Sequence, residues 1–100
     1  MASSDAPPSL PDALRRAAAR LGDAGIPDPA VDAELLAAFV LGTTRGGVQA
    51  AAIRGDALDA QHARTLEELV ERRATREPLQ HITGVAPFRH LELSVGPGVF

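Results

Sequence analysis

The amino-acid sequence predicts a mainly α-helical protein, a small bundle of four or five helices followed by the start of a β-hairpin. Apolar residues recur at helical spacing between glycine and proline stops over most of the chain. Nineteen alanines supply high helix propensity but little burial energy, which indicates a compact bundle with a modest core. After Phe88 the apolar residues alternate with polar ones, as in a strand.

The first helix is predicted to begin after Ser9, because a serine hydroxyl at the N-cap can accept a hydrogen bond from the first turn. Asp12 favours the same turn, since a carboxylate complements the positive end of the helix dipole. Residues 1–8 are small, polar and rich in proline, and are predicted to form a disordered tail. Gly22 and Gly25 are predicted to end the helix. Its apolar residues are Leu10, Leu14, Ala17, Ala18 and Leu21.

A second helix is predicted to start at Asp28 and Pro29, a capping carboxylate followed by proline at the first helical position. A helix that is apolar around so much of its circumference is expected at the centre of the bundle. Gly42 is predicted to end it. The main apolar stripe is predicted to consist of Val31, Leu35, Ala38 and Phe39, widened by Leu36, Val40 and Leu41.

A short third helix is predicted over residues 48–53, after a turn over residues 43–47. Gly55 and Asp56 then break the chain. This helix is short and only weakly specified by the sequence.

The fourth helix is predicted to be the longest, from Leu58 or Asp59 to Arg76. Glu68 and Arg72 are predicted to form a favourable pair four residues apart. Pro78 ends the helix, since the residue before a proline is pushed out of helical geometry. Its core face is predicted to consist of Leu66, Leu69 and Val70.

Arginines close this helix at positions 72, 73 and 76, where cations complement the helix dipole. Arg73 also continues the apolar face of the helix. Its stem is therefore expected to pack, while its guanidinium reaches a carboxylate, a carbonyl or another domain.

The segment after Pro78 changes in character. Residues 79–84 are predicted to hold one helical turn that packs on the bundle and ends at Gly84, a residue free to adopt positive φ. Residues 85–100 are predicted to be a truncated β-hairpin connector, with Leu91, Leu93 and Val95 on one face of its first strand. A lone hairpin is marginally stable in water, so its partner strands are expected beyond residue 100. The sequence thus predicts three parts: a tail over residues 1–8, a helical bundle domain over residues 9–84 and a connector over residues 85–100.

Composition excludes several classes of function. The net charge of −3 gives no sign of a nucleic-acid partner, and the absence of cysteine excludes thiol catalysis and thiolate metal sites. No pair among the histidines has the spacing of a helical zinc site. His90, Glu92 and Ser94 share a strand face but lie roughly 6.6 Å apart, too far for a proton relay. With no leader or membrane-length apolar run in view, we expect a monomeric cytoplasmic protein with no membrane partner.

The segment Arg73-Ala-Thr-Arg-Glu-Pro-Leu-Gln-His-Ile-Thr-Gly84 resembles the junction between the two domains of the HemK/PrmC family, the peptide-chain-release-factor glutamine methyltransferases. Phe88 and the alternating residues after it fit the hairpin that follows in that family. Asp32-Ala-Glu-Leu-Leu36 is similar to the family's second helix. His81 stands where the family usually has tyrosine.

The resemblance implies an N-terminal bundle that joins a Rossmann-like domain, beyond residue 100, that binds S-adenosylmethionine. It implies methylation of the glutamine in the Gly-Gly-Gln motif of bacterial class I release factors. The chain contains no Asn and no Tyr, so the family's Asn-Pro-Pro-Tyr motif maps to no position here. We therefore expect no catalytic, cofactor-binding or metal-binding residue in this chain, and a fragment that is inactive by itself. Its role would be release-factor recognition, with an interdomain hinge at Arg73, Pro78, Leu79, Gln80, His81, Gly84 and Phe88.

A second hypothesis needs no enzyme. The chain could be a stand-alone helical interaction module whose C-terminal strand completes the sheet of a partner. The continuation of the gene separates the two hypotheses, since the enzyme requires a Pro-Arg-Pro-Glu-Thr-Glu-like motif and then a methyl-donor pocket.

Overall fold

The computed structural model describes residues 8–84, which fold into a bundle of five helices. This confirms the predicted helical bundle. The predicted hairpin of residues 85–100, including Phe88, and residues 1–7 of the predicted tail lie outside the described residues. The helices are α1 (Leu10–Asp23), α2 (Pro29–Leu41), α3 (Arg45–Arg54), α4 (Ala60–Ala74) and α5 (Leu79–Thr83).

Side-chain caps begin three of these helices. The Ser9 hydroxyl accepts a hydrogen bond from the Asp12 backbone N–H at 3.3 Å, as the sequence predicted. Thr44 caps α3 and Asp59 caps α4 in the same way. Asp28 is the N-cap residue of α2 and Pro29 its first residue, as predicted, but the Asp28 side chain makes no capping hydrogen bond. Its backbone carbonyl instead accepts from the Asp32 N–H, and proline occupies the first turn.

Two predicted boundaries differ from the structure. The turn predicted over residues 43–47 is wrong, because the Thr44 hydroxyl accepts a hydrogen bond from the Gly47 N–H and starts α3 at Arg45. Helix α4 ends at Ala74, two residues before the predicted end, because Arg76 adopts a left-handed conformation with φ of 77°. The predicted Glu68–Arg72 pair is not observed, since Arg72 turns to Glu77 beyond the end of the helix.

Helix α2 is the centre of the bundle, as predicted, and packs against the other four helices. The predicted core face of α4 is also confirmed, with Leu66, Leu69 and Val70 buried. The side chains that are most completely buried come from three helices and are Leu10, Leu21, Leu36 and Val48.

The orientation of α2 differs from the prediction. Its buried face carries Ala33, Leu36, Ala37 and Ala38, so Ala38 of the predicted main stripe is buried as expected, whereas Phe39 of the same stripe is 48% exposed. The small alanine side chains let neighbouring helices approach closely, which favours burying that side of a helix that is apolar almost all round. The pattern of apolar residues alone could not distinguish the two faces.

The connection between α3 and α4 is held against the start of α1. Ser9 and Ala57 form an antiparallel bridge, and the Leu10 N–H donates to the Asp56 carbonyl at 2.8 Å. The Leu58 N–H donates to the Pro8 carbonyl, and the Leu58 side chain is buried although it precedes α4. This bridge closes one end of the bundle.

Within residues 8–84, no single helix is both long enough and apolar enough to cross a membrane. Helices α2 and α3 meet the length and hydropathy requirement only when taken together, across a bend of 93°.

Candidate functional site

The predicted hinge residues lie at the connection between α4 and α5, which we call the joint and define as residues 72–84. Here the chain leaves α4 at Ala74, passes through Arg76 in the left-handed conformation, and enters α5 after Pro78. A non-glycine residue at positive φ costs about 1–2 kcal/mol. The surrounding contacts must therefore hold this path in place.

Arg73 ties the joint to α2. Its Nε donates to Asp32 Oδ2 at 2.8 Å, and its Nη1 donates to the Glu77 carbonyl at 3.0 Å. The two side chains are only 19% and 13% exposed. Asp32 is buried on the core side of α2, so it requires a partner there. The guanidinium therefore satisfies a buried carboxylate and fixes the backbone of the joint at the same time, and both types of partner were expected from the sequence.

Arg72 binds the carboxylate of Glu77. Its Nε donates to the carboxylate at 3.0 Å in an exposed pair. The side-chain hydrogen bond from Arg72 lowers the pKa of the Glu77 carboxyl below its ordinary value, against a smaller opposing effect of burial. The same hydrogen bond raises the pKa of Arg72. Glu77 is thus fixed by its carbonyl and by its carboxylate.

Arg76 ties the joint to the end of α1. Its Nη2 donates to the Ala24 carbonyl at 3.1 Å. Gly25 makes room for this contact, since a Cβ built there would lie 2.8 Å from the same nitrogen. Gly25 also has φ of 84°, a conformation that side chains rarely adopt. The backbone geometry therefore favours glycine at this position, whereas a Cβ would only displace the flexible end of the Arg76 side chain.

Helix α5 places the remaining predicted hinge residues. Pro78 is its N-cap, and the Pro78 carbonyl accepts from the His81 N–H at 2.9 Å. Leu79 is half-buried against the core, while Gln80 and His81 are exposed. Gly84 ends the helix with φ of 74°, as its predicted freedom suggested. Phe88 lies outside the described residues.

The structure adds residues that sequence reasoning missed. Asp32 and Glu77 are the partners of the joint arginines, and Ile82 is the buried anchor of α5. A usable signal was present, since Asp32 lies four residues before Leu36 and therefore on the same side of a largely apolar helix. A carboxylate at such a position needs a cation, and Arg73 was already conspicuous.

The side chains of Arg73 and Arg76 hold the joint on α2 and on the end of α1. No group of three or more His, Asp or Glu side chains that could hold a metal ion occurs in residues 8–84. A groove of about 290 Å³ between α1 and α4 has an apolar floor that includes Ala17, Leu66 and Val70, with charged residues on its rim. The assignment of the joint as a hinge between domains stays a prediction.

Comparison with known proteins gives a consistent result. Residues 12–84 match the sequence model of a family described as the PrmC N-terminal domain. The chain is 52% identical over 87 residues to the release factor glutamine methyltransferase of Streptomyces coelicolor, covering 87% of this chain and 29% of that protein. It is 50% identical over 92 residues to the enzyme of the same name from Corynebacterium glutamicum, covering 92% of this chain and 31% of that protein. No solved structure shows a significant match.

Proposed function

Because this chain belongs to the PrmC N-terminal domain family, we propose that it is the substrate-recognition domain of an S-adenosylmethionine-dependent protein methyltransferase. The enzyme would methylate the glutamine of the Gly-Gly-Gln motif in bacterial class I release factors. The observation that carries the proposal is the 52% identity over 87 residues to a protein named for this activity.

The chain spans less than a third of the length of its curated relatives. The match to the family ends at Gly84, the residue that caps the C-terminus of α5. We infer that the methyl-donor site and the catalytic groups belong to the continuation of the protein. The bundle alone would therefore be inactive, and its contribution would be to hold the release factor.

The joint supports this division of roles. An amide nitrogen is a poor nucleophile, because its lone pair is delocalised into the carbonyl. Methyl transfer to it depends on placing the nitrogen in line with the sulfonium methyl group. A recognition domain can contribute to that placement only if its orientation is defined. Arg73 ties the joint to α2 and Arg76 ties it to the end of α1, while Arg72 holds Glu77 within the joint.

The proposal is tested on the full-length protein that contains this chain. We expect it to add one methyl group to the Gly-Gly-Gln glutamine of a purified class I release factor, detected by mass spectrometry of the digested product. A release factor with alanine in place of that glutamine is the control and should stay unmodified. Absence of methylation, or modification at another residue, would contradict the proposed activity.

Two measurements on the 100-residue chain test the assignment of roles. Calorimetry should show no binding of S-adenosylmethionine, and micromolar binding would overturn the division between recognition and catalysis. Heteronuclear NMR spectra should shift when a class I release factor is added at millimolar concentration. Unchanged spectra would contradict a recognition role for this domain alone.

A further inference from the structure

The groove between α1 and α4 contains no residue of the joint. Its volume of about 290 Å³ lies at the lower limit of small-molecule sites, which indicates an occupant no larger than a few side chains. Small side chains on both walls leave this space, with Ala13 and Ala17 on α1 and Ala63 on α4. Leu66 and Val70 complete an apolar floor. The groove is therefore suited to a large apolar side chain.

The two helices that form the groove run in the same direction. The Leu58 N–H donates to the Pro8 carbonyl where the helices begin, and Arg20 binds Glu71 near the point where they end. The Arg20 Nε and Nη2 both donate to this carboxylate, at 2.8 and 2.9 Å. This ion pair therefore spans the groove from one helix to the other.

A second pair of opposite charges lies on the two rims without a contact. Arg16 lies one turn before Arg20, and Glu67 lies one turn before Glu71. The side chains of Arg16 and Glu67 are exposed, and both line the groove. Between residues 8 and 84, neither side chain makes an ion pair or a hydrogen bond. Within this range the groove thus carries a free cation on one rim and a free anion on the other.

The open part of the groove lies away from the point where the chain leaves the bundle. Pro8 lines the groove at the start of α1, whereas Arg76 of the joint binds the Ala24 carbonyl beyond the other end of that helix. A segment bound near Arg16 would lie on the side of the Arg20–Glu71 pair that faces away from the joint. This position favours a separate molecule as the occupant over the chain that follows the joint.

We propose that the groove binds the class I release factor, through an apolar side chain that lies between an acidic and a basic residue of that protein. The apolar side chain contacts the floor, the acidic residue pairs with Arg16, and the basic residue pairs with Glu67. The charges on the rims fix the orientation of the bound segment, since its reversal would bring like charges together. The inference rests on the proposed function and names the surface through which this domain would hold its substrate.

Steady-state methyl transfer by the full-length protein tests the rim charges. Glu67→Arg should raise KM for an intact release factor at least about threefold with kcat unchanged, because it places like charges together. Glu68→Arg is the matched control and should leave KM unchanged, since Glu68 is exposed but does not line the groove. Arg16→Glu and its control Arg64→Glu should differ in the same way. Equal KM values in each variant and its control would overturn the proposal.

Filling the groove tests the apolar contact. Ala63→Leu should raise KM for the release factor at least about fivefold, because the larger side chain takes the space of the partner's side chain. Ala19→Leu is the control, since Ala19 is exposed on α1 and does not line the groove. Circular dichroism would verify the helices in both variants. An unchanged KM in folded Ala63→Leu would contradict the proposal.

The affinity for the methyl donor separates this inference from the proposed activity. Calorimetry with S-adenosylmethionine should give the same affinity for the unsubstituted protein and for every groove variant. If the unsubstituted protein methylates the release factor and the groove variants match their controls, the groove proposal fails and the proposed activity stands. Absence of methylation by the unsubstituted protein would overturn both.

Other occupants of the groove have distinct signatures. Association of the unsubstituted protein with itself in analytical ultracentrifugation, abolished by Ala63→Leu, would assign the groove to a second copy. If removal of residues 2–7 abolishes the effect of Ala63→Leu on KM, the groove belongs to the N-terminal residues of the same chain. Either result would overturn binding of the release factor in the groove.

Discussion

Two neighbouring arginines of the joint make ion pairs that differ in their contact with water. The Arg73 and Asp32 side chains are 19% and 13% exposed, whereas those of Arg72 and Glu77 are 47% and 29% exposed. Attraction is stronger, and an unpaired charge more costly, where water is excluded. We therefore assign the stability of the joint mainly to Arg73.

Substitution of Arg73 by Met should lower the free energy of unfolding by about 2 kcal/mol, between the values for exposed and fully buried pairs, because Asp32 is left without its partner. Arg72→Met is the matched control and should cost clearly less, because its pair with Glu77 is more exposed to water. The double variant Arg73→Met with Asp32→Leu should lose less free energy of unfolding than the two single variants lose together. Urea denaturation measures the free energy of unfolding of each single variant and of the double variant. Additive losses in the double variant would contradict the assignment.

The exposed pairs predict a dependence of stability on pH. Hydrogen bonds from Arg20 and Arg72 lower the pKa values of Glu71 and Glu77 in the folded chain. The unfolded chain therefore binds more protons as the pH falls below the ordinary carboxyl value of 4.5. The stabilisation is complete above that pH and is lost as the pH falls through the folded-state pKa values.

Replacing Glu71 and Glu77 together by Gln should make the thermal midpoint less sensitive to pH between about 5 and 3. Thermal scans across this range measure the effect. Glu68→Gln is the control, since no ion pair of Glu68 is observed in the described residues, and it should leave the slope unchanged. An equally steep loss in the double variant would show that these pairs do not contribute.

The contacts of Arg73 could be predicted from the sequence only in part. Arg73 continues the apolar face of α4, and a cation at such a position needs a partner. The types of partner, including a carboxylate and a carbonyl, could therefore be predicted. The identity of the partner could not, because Asp32 lies 41 positions away and the choice among carboxylates depends on how the helices pack. The left-handed conformation of Arg76 left no signal at all in the sequence, since it is imposed by tertiary contacts.

At the level of elements, left-handed glycines end three of the helices. Gly42, Gly55 and Gly84 have φ values of 69°, 72° and 74°. Glycine adopts this conformation without the steric cost that a Cβ brings. The chain can therefore turn sharply between helices, which keeps the bundle small.

Gly42→Ala should lower the free energy of unfolding by about 1 kcal/mol, because its Cβ would meet no neighbour and only the backbone strain remains. Gly22→Ala is the matched control inside α1, where the Cβ would make an ordinary contact at 3.8 Å. That change should raise stability by about 0.5–1 kcal/mol. Chemical denaturation of both variants checks the prediction, and equal effects would refute the role of the left-handed position.

The predicted helix ends were correct where the capping signal of a few adjacent residues agreed with the packing of the helices. Ser9 and the glycine after α2 marked helix ends correctly, because capping is a property of a few adjacent residues. The start of α3 was not predicted, because Gly46 and Gly47 favour a turn. The helix includes them because the Thr44 hydroxyl accepts a hydrogen bond from the Gly47 N–H. The face of α2 was missed because a helix that is apolar all round carries no directional signal.

At the scale of the whole molecule, α2 organises the bundle and the joint defines where the chain leaves it. The order of the helices and the central position of α2 could be predicted, because both follow from hydrophobicity along the chain. The ties of the joint to α1 and α2 could not, since they connect residues distant in sequence. These ties hold the joint in a defined position on α1 and α2.

The most direct test of the recognition role is steady-state methyl transfer to an intact class I release factor, with the full-length enzyme and with a variant that lacks residues 1–84. Calorimetry would first establish that the variant binds S-adenosylmethionine with unchanged affinity. We predict that kcat/KM for the release factor falls at least about tenfold, because binding energy from the bundle is lost. An unchanged kcat/KM in a variant that still binds the methyl donor would contradict the account.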